Sequence, residues 1–297
     1  MRHARFLRDV EKSLREFDRT RGVFPSPYPT PKQRATCIFC GGSPVNREHM
    51  WPQWAHGYIP KGKRKWRALH LREGIDRTDF IITNHGGDPH DFQVRCVDER
   101  CNNGWMRDLE NRVKPILRPL ITGKETRLVE ADQEAVAAWI ALKAMVQEYA
   151  PHSAVISHHK QRKRLFEKQQ ISRKSWRVWI GRYAGNRPDE LWITTPALLL
   201  PDRIVRRKKS RAATYYNSQA ATYVLGELLI HLLRSPDTLG VRLFQFHPAV
   251  RWKLRPIWPP TGLSIVWPTA GLSAAEGLFV ARAFRNEVQR TAKAVMT

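Results

Sequence analysis

Cys37-Ile38-Phe39-Cys40, then Arg47-Glu48-His49-Met50-Trp51-Pro52, then Cys96-Val97-Asp98-Glu99-Arg100-Cys101-Asn102-Asn103-Gly104-Trp105: these stretches decide how the chain is read. The sequence has 4 cysteines, and they fall as two pairs around the Glu48-His49 dipeptide. Two short loops that each present two sulfurs can close on one tetrahedral ion. Cys37, Cys40, Cys96 and Cys101 are therefore the expected ligands of a structural zinc. A carboxylate, an imidazole and a carboxamide beside that knuckle are the donor types that a second, harder metal site needs.

Outward from this region, the 297 residues suffice for one large domain or two ordinary ones, and a hydrophobic share of 42% allows a real core. The formal net charge of +24 calls for a polyanionic partner, and nucleic acid is the commonest. The apolar stretches are broken well before the roughly eighteen residues that a membrane span needs. The basic start, Met1-Arg2-His3-Ala4-Arg5, is not followed by an apolar segment, so no secretory signal is read. Cysteines at metal-like spacing fit a reducing, cytoplasmic setting.

Periodicity places a short charged helix over 5–19 and a Pro-rich connector at Phe24 to Pro31. A helix is expected after Cys101, with Trp105, Leu109 and Val113 on one side and Pro115 ending it. Another is expected from Asp132, with Ala135, Trp139, Leu142 and Val146 on one face and Pro151 beyond its end. A basic helix is expected over 158–170. Residues 176–183 and 190–195 alternate like two paired strands joined at Gly185-Asn186. Ala221 to Leu233 reads as a buried helix, and Val241 to Phe246 as a strand. Ser273-Ala274-Ala275-Glu276 is a capping box opening a C-terminal helix that carries Leu278, Ala281, Phe284 and Val288. Trp51, Trp54 and Trp105 read as core around the knuckle.

From Thr36 to Glu110 the sequence resembles the HNH endonucleases, the ββα-metal nucleases. The resemblance rests on Cys37-x-x-Cys40, Arg47-Glu48-His49-Met50-Trp51-Pro52 and Cys101-Asn102-Asn103-Gly104-Trp105. It implies a hairpin that ends in the acid-His pair and a helix that returns to the same spot. It further implies that His49 is the general base and that Glu48 and Asn102 hold a catalytic Mg²⁺ or Mn²⁺. The chemistry agrees, because a neutral imidazole can take a proton from water and a hard ion can relieve charge on a phosphate.

Three features depart from the family pattern. Four residues separate Cys96 from Cys101 where the family usually has two. The span from His49 to Cys96 is long, which implies an insertion carrying the basic loop Lys61 to Arg67. The asparagine that braces the base in the family has no clean equivalent; Asp91 is the candidate by register and Asn84 the other. Lys63, Arg64, Lys65, Arg67 and Arg107 are the expected nucleic-acid contacts, joined by the basic runs Lys160 to Arg164 and Arg206 to Arg211.

The expected architecture is α+β. A helix and linker (1–35) precede a zinc-stapled, treble-clef-like ββα module (36–122), and a larger mixed α/β domain (123–297) binds or positions nucleic acid. The expected partner is double-stranded DNA, and the termini could support a homodimer or a partner protein. Proteins of this shape resemble bacterial or phage products linked to mobile elements or defence. Alternatives of other kinds are a zinc-containing nucleic-acid binder without catalysis, or a nuclease acting on RNA.

Overall fold

The computed structural model describes residues 36–58, 66–73, 78–85, 89–150, 153, 155–186, 192–197, 218–235 and 244–284. The expected helix over 5–19, the Pro-rich connector, Lys63, Arg64, Lys65, Pro151, the run Arg206 to Arg211 and Val288 lie outside these residues, as does the first half, 241–243, of the strand expected from Val241; Phe244 to Phe246 are not strand. The protein is mixed α/β.

Among the described residues, a two-stranded hairpin comes first. β1 (Val45–His49) pairs antiparallel with β4 (Gln93–Asp98). The chain between them leaves the hairpin to form β2 (Trp66–Glu73) and β3 (Thr78–His85), then returns. From β4 it enters a helical stretch at once: Glu99–Cys101, a π-helical turn Asn102–Met106, and α1 (Arg107–Ile121). Gly104 leaves helical dihedrals inside this turn (φ −99°, ψ −117°). Trp105, Leu109 and Val113 share one side as the spacing predicts, but Pro115 does not end the helix, which runs through it and through Pro119. A proline takes one hydrogen bond from the ladder, and a helix already packed along its length can absorb that loss.

β5 (Thr126–Leu128) leads to α2 (Glu130–Gln147). Asp132 sits one turn inside this helix, where its Oδ2 accepts the Val129 N–H at 3.0 Å. From Ala135 to Gln147 every residue is buried, so α2 is a central helix and not a surface one. α3 (His159–Lys168) is the expected basic helix.

Among the described residues, the large sheet has eight strands, in the order β10-β6-β9-β8-β7-β2-β3, with β12 beside β6. β6 (Trp176–Tyr183) and β7 (Trp192–Ala197) form where the alternation predicts strands, but they are not each other's partners. β8 (Ser218–Leu225) and β9 (Leu228–Arg234) lie between them, β6 pairing with β9 and β7 with β8. This hairpin occupies the stretch expected as a buried helix. Leu225 faces Leu228 across a two-residue turn in which Gly226 takes φ +58°. Its α-hydrogen lies where a Cβ would meet the Ile121 carbonyl oxygen at 2.5 Å, so the position suits glycine on two counts.

The misreading has a physical cause. On β9, Leu228, Ile230 and Leu232 face the core that holds α2, while Leu229 and Leu233 face a second cluster with Phe244, Leu278 and Phe284. A strand buried on both faces loses its alternation and cannot be told from a buried helix by pattern. β10 (Leu254–Trp258), β11 (Ile265–Trp267) and β12 (Gly271–Leu272) complete the strands. Residues 274–284 form the C-terminal helix, α4, with the expected capping box: the Glu276 N–H donates to Ser273 Oγ (3.3 Å) and Ser273 N–H to Glu276 Oε2 (2.9 Å).

The boundary expected at residue 122 is not a break in packing. One core runs from Cys37 to Trp267. Trp51, which follows the Glu-His pair, packs against Trp139 of α2 (6.3 Å) and edge-on to Tyr223 of β8 (5.6 Å). β2, from the chain between the hairpin strands, runs parallel to β7. Trp139, Trp176 and Trp267 are among the largest fully buried side chains. Each removes roughly 200 Å² from water, a gross contribution of about 5 kcal/mol.

Candidate metal centre and strand-end site

The loop before β1 folds back on itself: Cys37 N–H donates to the Gly42 carbonyl (2.7 Å) and Gly41 N–H to that of Cys37 (3.0 Å). Gly41 takes φ +77° to close it. Ile38 N–H then donates to the Cys96 carbonyl (3.0 Å), docking the loop on β4. The result gathers Cys37, Cys40, Asp98 and Cys101, whose ligand atoms all lie within 4.8 Å of one another. Tetrahedral zinc at ordinary bond lengths sets its ligands about 3.5–3.8 Å apart, so three thiolates and one carboxylate can hold such an ion with small closing movements.

Three of the four expected thiols are thus present and Asp98 takes the fourth place; the Cys96 thiol is not in the group. The cause is a bulge. Arg47 faces Arg95 and Asn46 faces Val97, so Cys96 is left without a partner across the hairpin. A bulge re-aims the side chains that follow it, and here it turns Asp98 to the knuckle. Cys96 is buried completely, and that burial, with the charge of Glu48, pushes its thiol up.

Asp98 has a second task. It caps the helical stretch, its Oδ1 accepting the Cys101 N–H at 2.9 Å, while Oδ2 lies 3.2 Å from Cys40 Sγ. The Cys101 thiol donating to Cys37 lowers Cys37 to about 5 and raises Cys101 itself. Burial raises Cys40.

Glu48 and His49 stand at the end of β1 and face different surroundings. Glu48 is buried, and its Oε1 accepts from Lys143 Nζ at 2.7 Å. The same ammonium donates to the His49 carbonyl (3.1 Å) and lies 3.9 Å from Glu110 Oε2. Burial raises the Glu110 carboxyl against the pull of Lys143. His49 faces Gln93 across the hairpin, their Nε2 atoms 2.7 Å apart. Asp91, the residue expected by register to brace His49, is exposed in the turn Pro89–Asp91, and Gln93 is the side chain that contacts the His49 ring. Beyond His49 lies the His56 ring at 6.1 Å, and His90 stacks on His56 at 4.4 Å. Asn102 directly follows Cys101 and is half-buried at the start of the π-helical turn. Of the expected nucleic-acid contacts, Arg107 is exposed at the start of α1, and Arg67 lies on β2.

Reasoning from sequence missed Asp98, Gln93, Glu110 and Lys143. Lys143 carried a signal, being the one cation inside the apolar run from Ala135 to Val146, and buried lysines are rare unless paired. It also missed Arg162, whose Nε donates to the Ile38 carbonyl (3.1 Å) and so fastens α3 to the knuckle loop. Phe166 of α3 meets Trp105 edge-on, and Trp105 meets Phe39 in the same way. Lys160, Lys163, Arg164 and Lys168 remain exposed on that helix. Among the described residues, no helix is long and apolar enough to cross a membrane. In comparisons with family models, with curated proteins and with solved structures, the chain matches none.

Proposed function

We propose that the protein is a metal-dependent endonuclease of the HNH kind that hydrolyses DNA phosphodiester bonds, with a structural zinc in the knuckle. The observation that carries this reading is the order of parts around His49: a hairpin strand ending in Glu48-His49, its partner strand entering a helix at once, and a thiol-carboxylate cluster tying the loop before the first strand to the start of that helix. In this reading His49 takes the proton of the attacking water. Glu48 and Asn102 would hold a Mg²⁺ or Mn²⁺ ion, and that ion would supply relief of the negative charge developing on the phosphate and the leaving oxygen. The knuckle residues stay out of the reaction and fix the strand against the helix. Arg107 and the exposed cations of α3, fastened beside the knuckle by Arg162, supply phosphate contacts without sequence preference. The net charge of +24 favours the same partner.

The test is supercoiled plasmid incubated with the protein in Mg²⁺, Mn²⁺ or EDTA, beside His49→Ala. Nicking or linearisation that needs both the ion and His49 is the expected result, and the variant should lose at least about a hundredfold in rate. Cleavage that survives His49→Ala sinks the assignment of the base. Single-stranded RNA offered in parallel tests the RNA reading.

A second reading has a specific observation in its favour. The Glu48 carboxylate is already engaged by Lys143, so the strand end can be a structural ion pair in a zinc-containing nucleic-acid binder without catalysis. Salt-sensitive DNA binding by both proteins, with no cutting by either, selects it.

A further inference from the structure

The nuclease reading puts a divalent ion at Glu48, where the protein already carries a cation of its own. Lys143 Nζ lies 2.7 Å from Glu48 Oε1, 3.1 Å from the His49 carbonyl oxygen and 3.9 Å from Glu110 Oε2. The Lys143 and Glu48 side chains are 2% and 9% exposed, so water does little to screen their interaction. Oxygens from two elements, two of them carboxylate, converge on a single buried positive charge. Hard divalent ions choose such donors, and an ammonium is their monovalent counterpart. The lysine comes from α2, well outside the hairpin and its following helix.

We propose that Lys143 is a positioning residue that competes with the divalent ion for Glu48 and so sets how tightly that ion binds. The proposal rests on the reading of Glu48 as an ion ligand. The charge count says what the competition achieves. Two carboxylates, one ammonium and one divalent ion leave a single net positive charge, which one phosphodiester neutralises. Without the ammonium, the ion-loaded site is already neutral and draws no phosphate. The lysine thereby makes the ion bind weakly alone and more tightly once nucleic acid is present, because each ligand improves the site for the other.

The experiment uses the zinc-loaded full-length protein and titrates Mn²⁺ by calorimetry and by thermal shift, comparing wild type with Lys143→Gln, Lys143→Arg and Glu110→Gln. Lys143→Gln removes a positive charge a few ångströms from the ion, so it should bind Mn²⁺ about tenfold or more tighter and gain melting temperature on adding it. Lys143→Arg should stay near wild type. Glu110→Gln removes a carboxylate from the same site and should bind Mn²⁺ several-fold more weakly. A Mn²⁺ affinity of Lys143→Gln within about twofold of wild type overturns the proposal. If Lys143→Gln does not fold, Glu110→Gln carries the test, and an unchanged affinity there overturns the proposal equally. The plasmid assay separates the two readings: cutting that needs His49 and Mg²⁺, with Mn²⁺ affinity indifferent to these substitutions, removes the role of Lys143 and leaves the nuclease standing. Absence of cutting, with Mn²⁺ binding unchanged in Glu48→Gln, removes both.

Discussion

His231 is a side chain whose protonation is decided by burial. It lies on β9, fully buried, with Nδ1 2.8 Å from Thr222 Oγ1, and burial lowers it to about 3. The native state therefore keeps it neutral, while the unfolded chain takes up a proton below about pH 6.5. Between those values the unfolded state binds more protons, so stability falls as pH falls, by about 1.4 kcal/mol for each pH unit. Denaturant unfolding at several pH values from about 7 down to 5 should show this slope in wild type and a shallower one in His231→Gln; equal slopes would assign the acid sensitivity elsewhere. At this scale the sequence was informative where neighbours along the chain decide the placement. Glu48 and His49 stand at a strand end as the family resemblance implies, and Asn102 follows Cys101 into the helix. Lys143 and Gln93 reach the same place only through tertiary packing and strand register, which spacing along the chain does not encode.

The knuckle belongs to the scale of elements, since a bulge in β4 decides which side chain completes it. Asp98→Asn keeps an acceptor at the helix start but loses the anionic ligand, and Cys101→Ser removes a thiolate; both should lower bound zinc well below one equivalent. Asp98→Ala should cost about 1 kcal/mol more through the lost cap. Cys96→Ser should keep its zinc, and metal analysis of the purified variants decides between the two ligand sets. Zinc lost from Cys96→Ser but retained by Asp98→Asn would restore a site of four thiolates. Helices with one apolar face, such as α3 and the one opened by Ser273, were legible because solvent still touches their other side. The β8–β9 hairpin was not, because both its faces are covered. Gly226 was the available clue, a residue suited to a tight turn in the middle of an apolar run too long for one strand.

For the whole molecule, the mixed class was legible in the sequence, and the packing that joins its parts was not. Composition reports that a core can form, but it does not say that Trp51, Trp139 and Tyr223 form one and the same core. A fragment covering 36–122 loses α2, and with it the packing over Trp51 and the partner of Glu48. Removing one member of a buried ion pair alone costs about 3–5 kcal/mol. The fragment should show no cooperative thermal transition even with zinc supplied, whereas the full chain should melt cooperatively; scanning calorimetry compares them. The path of the chain between β1 and β4 has a further consequence, for the order of events in folding. The hairpin cannot be a local nucleus, because its two strands are joined by a segment that itself pairs elsewhere, Leu69 of β2 standing opposite Ile193 of β7. Closing such distant pairs is slow. On a ribosome, the Glu-His pair would leave the exit tunnel long before the strands that hold it in place had been made, and the site would be among the last parts of the protein to take shape.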